Sequence, residues 1–105
     1  MGILKEAALF PTPHENLYLV LGFVNDKSVA EILSLFPSTA YYYLTQPEVP
    51  RAFPLENLAL IATNLKLNFQ SYYSVKEALS NAKANAKPED LIYVGGSTFV
   101  VAEIL

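Results

Sequence analysis

The sequence predicts one α/β domain of three layers: a mostly parallel sheet of about four strands, with helices on both faces. Three observations carry that prediction. Short strand-like runs at 17–23, 39–45, 69–73 and 91–94 alternate with stretches of helical spacing. The runs at 17–23 and 91–94 are apolar without interruption, as in strands buried on both sides. The connections are short, and an alternating order of this kind requires right-handed crossovers and a parallel sheet.

The elements follow in order as α-β-α-β-α-β-α-β-α. Residues 3–10 place apolar side chains at 3, 4, 7 and 8, a short helix that Pro11-Thr12-Pro13 ends. No strand precedes it, which leads us to expect an upstream segment of a longer protein. Leu17-Tyr18-Leu19-Val20-Leu21-Gly22-Phe23 reads as the central strand. After a polar loop, Ser28-Val29-Ala30-Glu31 fits a capping box, and Val29, Ile32, Leu33 and Phe36 keep helical spacing up to Pro37. TAYYYLT at 39–45 is the second strand, with Tyr42 facing opposite to Tyr41 and Tyr43. The proline-rich loop 46–54 leads to a helix with Pro54 at its first position and Leu55, Leu58, Ala59 and Ala62 on one face. A weaker strand at 69–73 precedes a second capping box, Ser74-Val75-Lys76-Glu77, and a helix to about residue 87. Residues 91–94 form the last strand. Gly95-Gly96 then makes the turn and Ser97 caps a helix over 98–105. This is a Rossmann-like layout filling residues 1–105 as one domain.

Composition narrows the function. Hydrophobic residues make up 52% of 105, which excludes a disordered chain and gives material for one core. A formal charge of -3 leaves no basic footprint for nucleic acid or an anionic membrane. There is no Cys, so disulfides and thiolate ligands are excluded, in keeping with a cytoplasmic location. No apolar run is long enough to span a membrane, and the first ten residues lack a signal-peptide layout.

Candidate chemistry is sparse. His14, the only histidine, sits in a turn and reads as a solvated side chain. No metal-ligand cluster and no GxxxxGK[ST] loop is present. Three loops follow predicted strands and should open on one edge of the sheet: 24–27, 46–53 and 95–97. They carry Asp26, Lys27, Arg51 and Ser97, with Gly95 and Gly96 as the supporting turn. Arg51 is the only arginine, suited to bidentate contact with phosphate or carboxylate, or else a surface residue with its stem on Phe53. The turn at Gly95-Gly96 is either a plain strand-to-helix connection or the start of an anion site at free backbone N–H groups. The three tyrosines are core aromatics or a ligand platform.

These residues carry a resemblance. Leu21-Gly22-Phe23-Val24-Asn25-Asp26-Lys27-Ser28 resembles the Gly-x-x-x-Asp-Lys-Asp stretch of folylpolyglutamate synthases, also called dihydrofolate synthases, of the Mur ligase superfamily. Ser28 stands where many relatives have Asp. Pro50-Arg51-Ala52 is similar to that family's Pro-Arg loop, and residues 90–103 to its closing strand, Gly-Ser turn and helix. The match runs from about residue 17 to 105, the last quarter or so of a full synthase. It implies the C-terminal domain of a ligase that joins glutamate to a folate with ATP and Mg²⁺, through an acyl phosphate. The implied ATP P-loop, most Mg²⁺ ligands and the folate site lie on an N-terminal ATPase domain, the implied partner. The family's Asp-x-x-His-Asn-Pro segment would precede residue 2, and His14 is not its equivalent because Glu15 follows it. Asp26, Lys27, Arg51 and Ser97 would face the cleft, near ATP phosphates or glutamate. The chain alone would be inactive and hold no cofactor, and without its upstream piece residues 2–10 would be its least ordered segment or be held by a second copy of the chain. Two other readings stay open: a stand-alone binding module without catalysis, and the same domain of another Mur ligase.

Overall fold

The structure, a computed structural model, describes residues 16–24 and 28–104. Four parallel strands, β1 (Leu17–Gly22), β2 (Tyr41–Thr45), β3 (Asn68–Tyr72) and β4 (Leu91–Gly96), form one sheet in the order β3-β2-β1-β4. Four helices connect or follow them: α1 (Val29–Ser34), α2 (Leu55–Asn64), α3 (Val75–Asn85) and α4 (Thr98–Ala102). The α/β class, the parallel sheet and helices on both faces are as the sequence predicts. The expected first helix at 3–10, and His14, lie outside the described residues.

Burial explains why the strands differ in sequence. Every residue of β1 is buried, since β1 has strands on both sides and helices above and below. β3 is an edge strand with three of its five residues exposed, so its apolar pattern is faint. Strand alternation then builds two cores. Leu17, Leu19, Leu21, Tyr42 and Leu44 face α1 and α2, packing on Val29, Leu33, Leu55, Leu58 and Ala62. Tyr18, Val20, Tyr43, Ile92 and Val94 face α3 and α4, packing on Val75, Ala78, Leu79, Ala82 and Val100. Tyr42 does point opposite to its neighbours, and its buried hydroxyl donates to the Pro37 carbonyl at 2.6 Å. Tyr42 and Tyr43 are therefore core, while Tyr41 is exposed at the start of β2: Tyr43 and Tyr72 stack with centroids 6.0 Å apart, and Asn85 donates to the Tyr43 hydroxyl at 3.0 Å.

Some boundaries differ from expectation. β4 does not stop at Val94 but runs through both glycines, because Gly95 and Gly96 stay in register with Leu21 and Gly22. The last helix ends at Ala102, and α3 ends at Asn85, short of the expected residue 87. Ser74 caps α3 as predicted, accepting from Glu77 N–H at 3.2 Å. Ser28 stands at the N-cap of α1 without making the capping hydrogen bond, its φ of -98° and ψ of 9° being unlike an extended cap. Pro54 is the N-cap of α2 and not its first helical residue.

Candidate functional site

The strand order reverses between β1 and β4. After β1 the chain moves toward β2 over one face, while the helix after β4 packs on the other. The carboxyl ends of these two strands therefore flank the crevice where ligands bind in open α/β sheets. Two glycines make the approach there very close. A Cβ on Gly96 would sit 2.3 Å from the Gly22 carbonyl oxygen, and its φ of +91° suits glycine alone. A Cβ on Gly22 would in turn meet the Thr45 carbonyl oxygen and Val100 at 2.9 Å. A side chain at Gly96 would force β4 away from β1, and one at Gly22 would force β1 away from β2 and α4.

The loop after β2 folds over this edge in a defined way. Val49 accepts from Ala52 N–H at 3.1 Å, closing a four-residue turn with Pro50 second and Arg51 third. Proline fixes the turn's first φ, and Arg51 projects from the tip, exposed. Ala52 bridges Val24 in antiparallel fashion, and Phe53 N–H donates to the Phe23 carbonyl at 2.7 Å. The Arg51 turn is thus fastened to the exit of β1. Two more bonds hold its ends. Gln46 Oε1 accepts from Leu55 N–H at 2.8 Å, doing the capping that Pro54 cannot. Glu48 N–H donates to Glu103 Oε2 at 2.6 Å, tying the loop to the end of α4.

Ser97, half-buried and extended at φ -118°, accepts from Phe99 N–H at 3.1 Å. Its hydroxyl oxygen is used as the cap, which leaves its O–H proton as a donor. The structure thus gathers Arg51, Gly95, Gly96 and Ser97 on strand exits at one edge of the sheet. Asp26 and Lys27 lie outside the described residues, between Val24 and Ser28. Of the residues at this edge, Gly22 entered the sequence reading only through the resemblance, and Gln46 and Tyr93 were given no role there. Gly22 had a signal, since a glycine inside an apolar strand marks close backbone approach. Tyr93 leans over Gly95, where a Cβ would lie 2.7 Å from its hydroxyl. Burial pushes its phenol pKa up. Gln46 gave no sequence signal, because its partner Leu55 is nine residues away across a loop.

Comparison with known proteins gives the class to which this fold belongs. A family model described as "Mur ligase, glutamate ligase domain" matches residues 3–98, and the chain belongs to that family. It is 31% identical over 91 residues to a probable bifunctional folylpolyglutamate synthase/dihydropteroate synthase of Haloferax volcanii, covering 86% of this chain and 11% of that protein. Among solved structures it is similar to E. coli FolC in complex with DHPP and ADP, with a TM-score of 0.79 and 30% identity over 93% of this chain and 23% of that one. It also shares its fold with Mycobacterium tuberculosis folylpolyglutamate synthase complexed with ADP and AMPPCP, at a TM-score of 0.81 and 20% identity, covering 99% of this chain and 28% of that one. The chain therefore spans about a tenth of the curated relative and about a quarter of these solved chains. Among the described residues no helix is long and apolar enough to cross a membrane, and no group of three or more His, Cys, Asp or Glu could hold a metal.

Proposed function

We propose that this chain is the C-terminal domain of an ATP-dependent folate–glutamate ligase, closing over ATP and L-glutamate held with an N-terminal ATPase domain. The observation that carries the reading is the Arg51 turn fastened beside the Gly22–Gly96 crevice in a chain of the glutamate-ligase family. The reaction forms an amide. A folate carboxylate takes the terminal phosphoryl group of ATP, releasing ADP. The glutamate amine then attacks that acyl carbon, and phosphate leaves.

Much of the protein's part in such chemistry is positioning and charge stabilisation. Arg51 is exposed on a turn held at both ends, a placement that fits an anion arriving from a second domain. Its guanidinium holds a phosphate or carboxylate oxygen pair. The Ser97 O–H donates to the same ligand group, while Gly95 and Gly96 let the backbone come close. Asp26 and Lys27 complete the cleft-facing set. Mg²⁺, when bound in the joined enzyme, would neutralise phosphate charge, with most of its ligands supplied by the N-terminal domain. The enzyme is assigned to the cytoplasm.

The test is Arg51→Ala in a synthase that contains this domain. A charge-assisted hydrogen bond is worth about 1.5–3 kcal/mol, so kcat/KM for glutamate ligation should fall roughly 10- to 150-fold with Tm unchanged. A variant with lowered Tm and full kcat/KM would make Arg51 structural and remove it from the site.

A further inference from the structure

α4 is short, and it is held at its middle and at its far end. Val100, fully buried, anchors the middle in the core shared with α3. Beyond it, Glu103 N–H donates to the Val100 carbonyl at 3.3 Å and Ile104 N–H to the Val101 carbonyl at 3.2 Å, so Glu103 moves with the helix. Ser97 stands at the near end as the N-cap. From Ser97 to Glu103 is six residues, about 9 Å along a helix. The carboxylate of the half-buried Glu103 reaches from this helix to Glu48 N–H at 2.6 Å.

Glu48 is joined to Arg51 through two consecutive turns. Val49 N–H donates to the Pro47 carbonyl at 2.9 Å, and Ala52 N–H to the Val49 carbonyl at 3.1 Å. Glu48 is the central residue of the first turn, so its own N–H takes no part in that turn's hydrogen bond and needs an outside acceptor. Pro47, buried, packs toward Gly22, its Cδ 3.2 Å from where a Cβ there would lie. Past Pro47 the loop and α4 face one another across an open depression of about 480 Å³, whose lining includes Glu48, Val49, Phe99 and Glu103. The Glu48–Glu103 hydrogen bond therefore spans a gap that side chains do not fill.

We propose that Glu103 is a positioning residue: through Glu48 N–H its carboxylate sets the place of the Arg51 turn relative to Ser97, so that both reach one ligand group together. The inference rests on the ligase reading above and extends it from Arg51 to the helix behind it. The location of the bond decides what it does. It lies at the surface, where a Glu48 N–H released from Glu103 binds water instead, so the fold loses little. Arg51 has more to lose. Its guanidinium sits at the tip of the turn, and a turn free to shift by about 1 Å misplaces a bidentate contact. The bond needs an acceptor oxygen at the end of a side chain of this length, which glutamine also provides and alanine does not.

The test compares Glu103→Ala and Glu103→Gln in a synthase that contains this domain. Glu103→Ala should lower kcat/KM for glutamate ligation about 3- to 10-fold, the range of one hydrogen bond, with Tm nearly unchanged. Glu103→Gln should stay within about 2-fold of the parent. In an Arg51→Ala background Glu103→Ala should have no further effect, because Glu103 acts through Arg51. Amide exchange at Glu48 should quicken in Glu103→Ala and stay slow in Glu103→Gln. Full kcat/KM in Glu103→Ala, a further loss in the Arg51→Ala background, or a glutamine variant as poor as the alanine one would each overturn the proposal. If Glu103→Ala also lowers Tm, the glutamine variant and the double variant decide, assayed well below their midpoints. The two readings fail separately. Arg51→Ala impaired with Glu103→Ala at full activity removes Glu103 alone; Arg51→Ala at full activity removes the Arg51 reading, and the role of Glu103 with it.

Discussion

Gly96 combines two demands that only glycine meets together: a φ of +91° and a carbonyl oxygen where a side chain would begin. Gly96→Ala should therefore cost about 2 kcal/mol or more, from the disfavoured backbone region and the clash. In a domain of this size that lowers Tm by roughly 8–15 °C, measurable by calorimetry. A Tm within two degrees of the parent would show that the β1–β4 crevice can open freely. The sequence signalled this position, since paired glycines after an apolar run mark close approach. Tyr42 shows a residue whose chemistry the sequence hides. Its place in a strand announces burial, but only the fold brings its hydroxyl to the Pro37 carbonyl. Burial pushes its pKa from 10.0 up to about 12. The folded state thus favours the neutral phenol, a contribution complete below pH 10 and lost as pH rises toward about 12. Tyr42→Phe should lower stability at pH 7 by about 1 kcal/mol, the usual worth of one hydrogen bond. It should also flatten, though not abolish, the decline in Tm between pH 10 and 12, because Tyr18, Tyr43 and Tyr93 are shifted upward by burial too. An unchanged alkaline slope would mean that Tyr42 is reached by solvent.

At the scale of elements, local signals were legible where one segment satisfies itself and failed where a partner comes from afar. Ser74 and Glu77 lie within one turn, and the cap they announce is present. The same pattern at Ser28 places an N-cap but not its hydrogen bond, because the chain enters α1 near the helical region and not extended. α2 begins after a proline, which has no side-chain oxygen, so nothing local shows what satisfies its first N–H. Gln46 does so from the start of the loop, and it thereby closes the ten residues that carry Arg51. Gln46→Ala should cost about 1 kcal/mol, as for loss of an N-cap. More telling, amide exchange should quicken at Leu55 and across 49–53, while α3 stays protected. Uniform protection across that loop in the variant would show that the Val24–Ala52 bridge alone holds the Arg51 turn.

For the molecule as a whole, alternation of strand and helix was enough to give the parallel sheet and its two covered faces. Two periods, one in the strands and one in the helices, must agree for both cores to close. The site was less legible, for a physical reason. Its residues come from loops after β1, β2 and β4, which are far apart in sequence and neighbours only because the strand order reverses between β1 and β4. Spacing could nominate Arg51 and Ser97 but not the Gly22 carbonyl between their strands. What this edge offers is a surface for positioning: an arginine on a held turn, a serine O–H and bare backbone. It has no loop of the kind that cradles a nucleotide's phosphates, since GxxxxGK[ST] occurs nowhere in the sequence. Phosphoryl transfer depends on such a cradle and on metal ions bridging the phosphates. The 105-residue chain alone should therefore release no phosphate from ATP above the uncatalysed rate, in the presence of Mg²⁺, a folate and glutamate. Joining it to an ATPase domain that carries the phosphate loop should produce ligation, and Arg51→Ala should reduce that ligation. ATP turnover by the chain alone, removed by Arg51→Ala, would show that this edge is itself a catalytic centre and would overturn the division of labour between two domains.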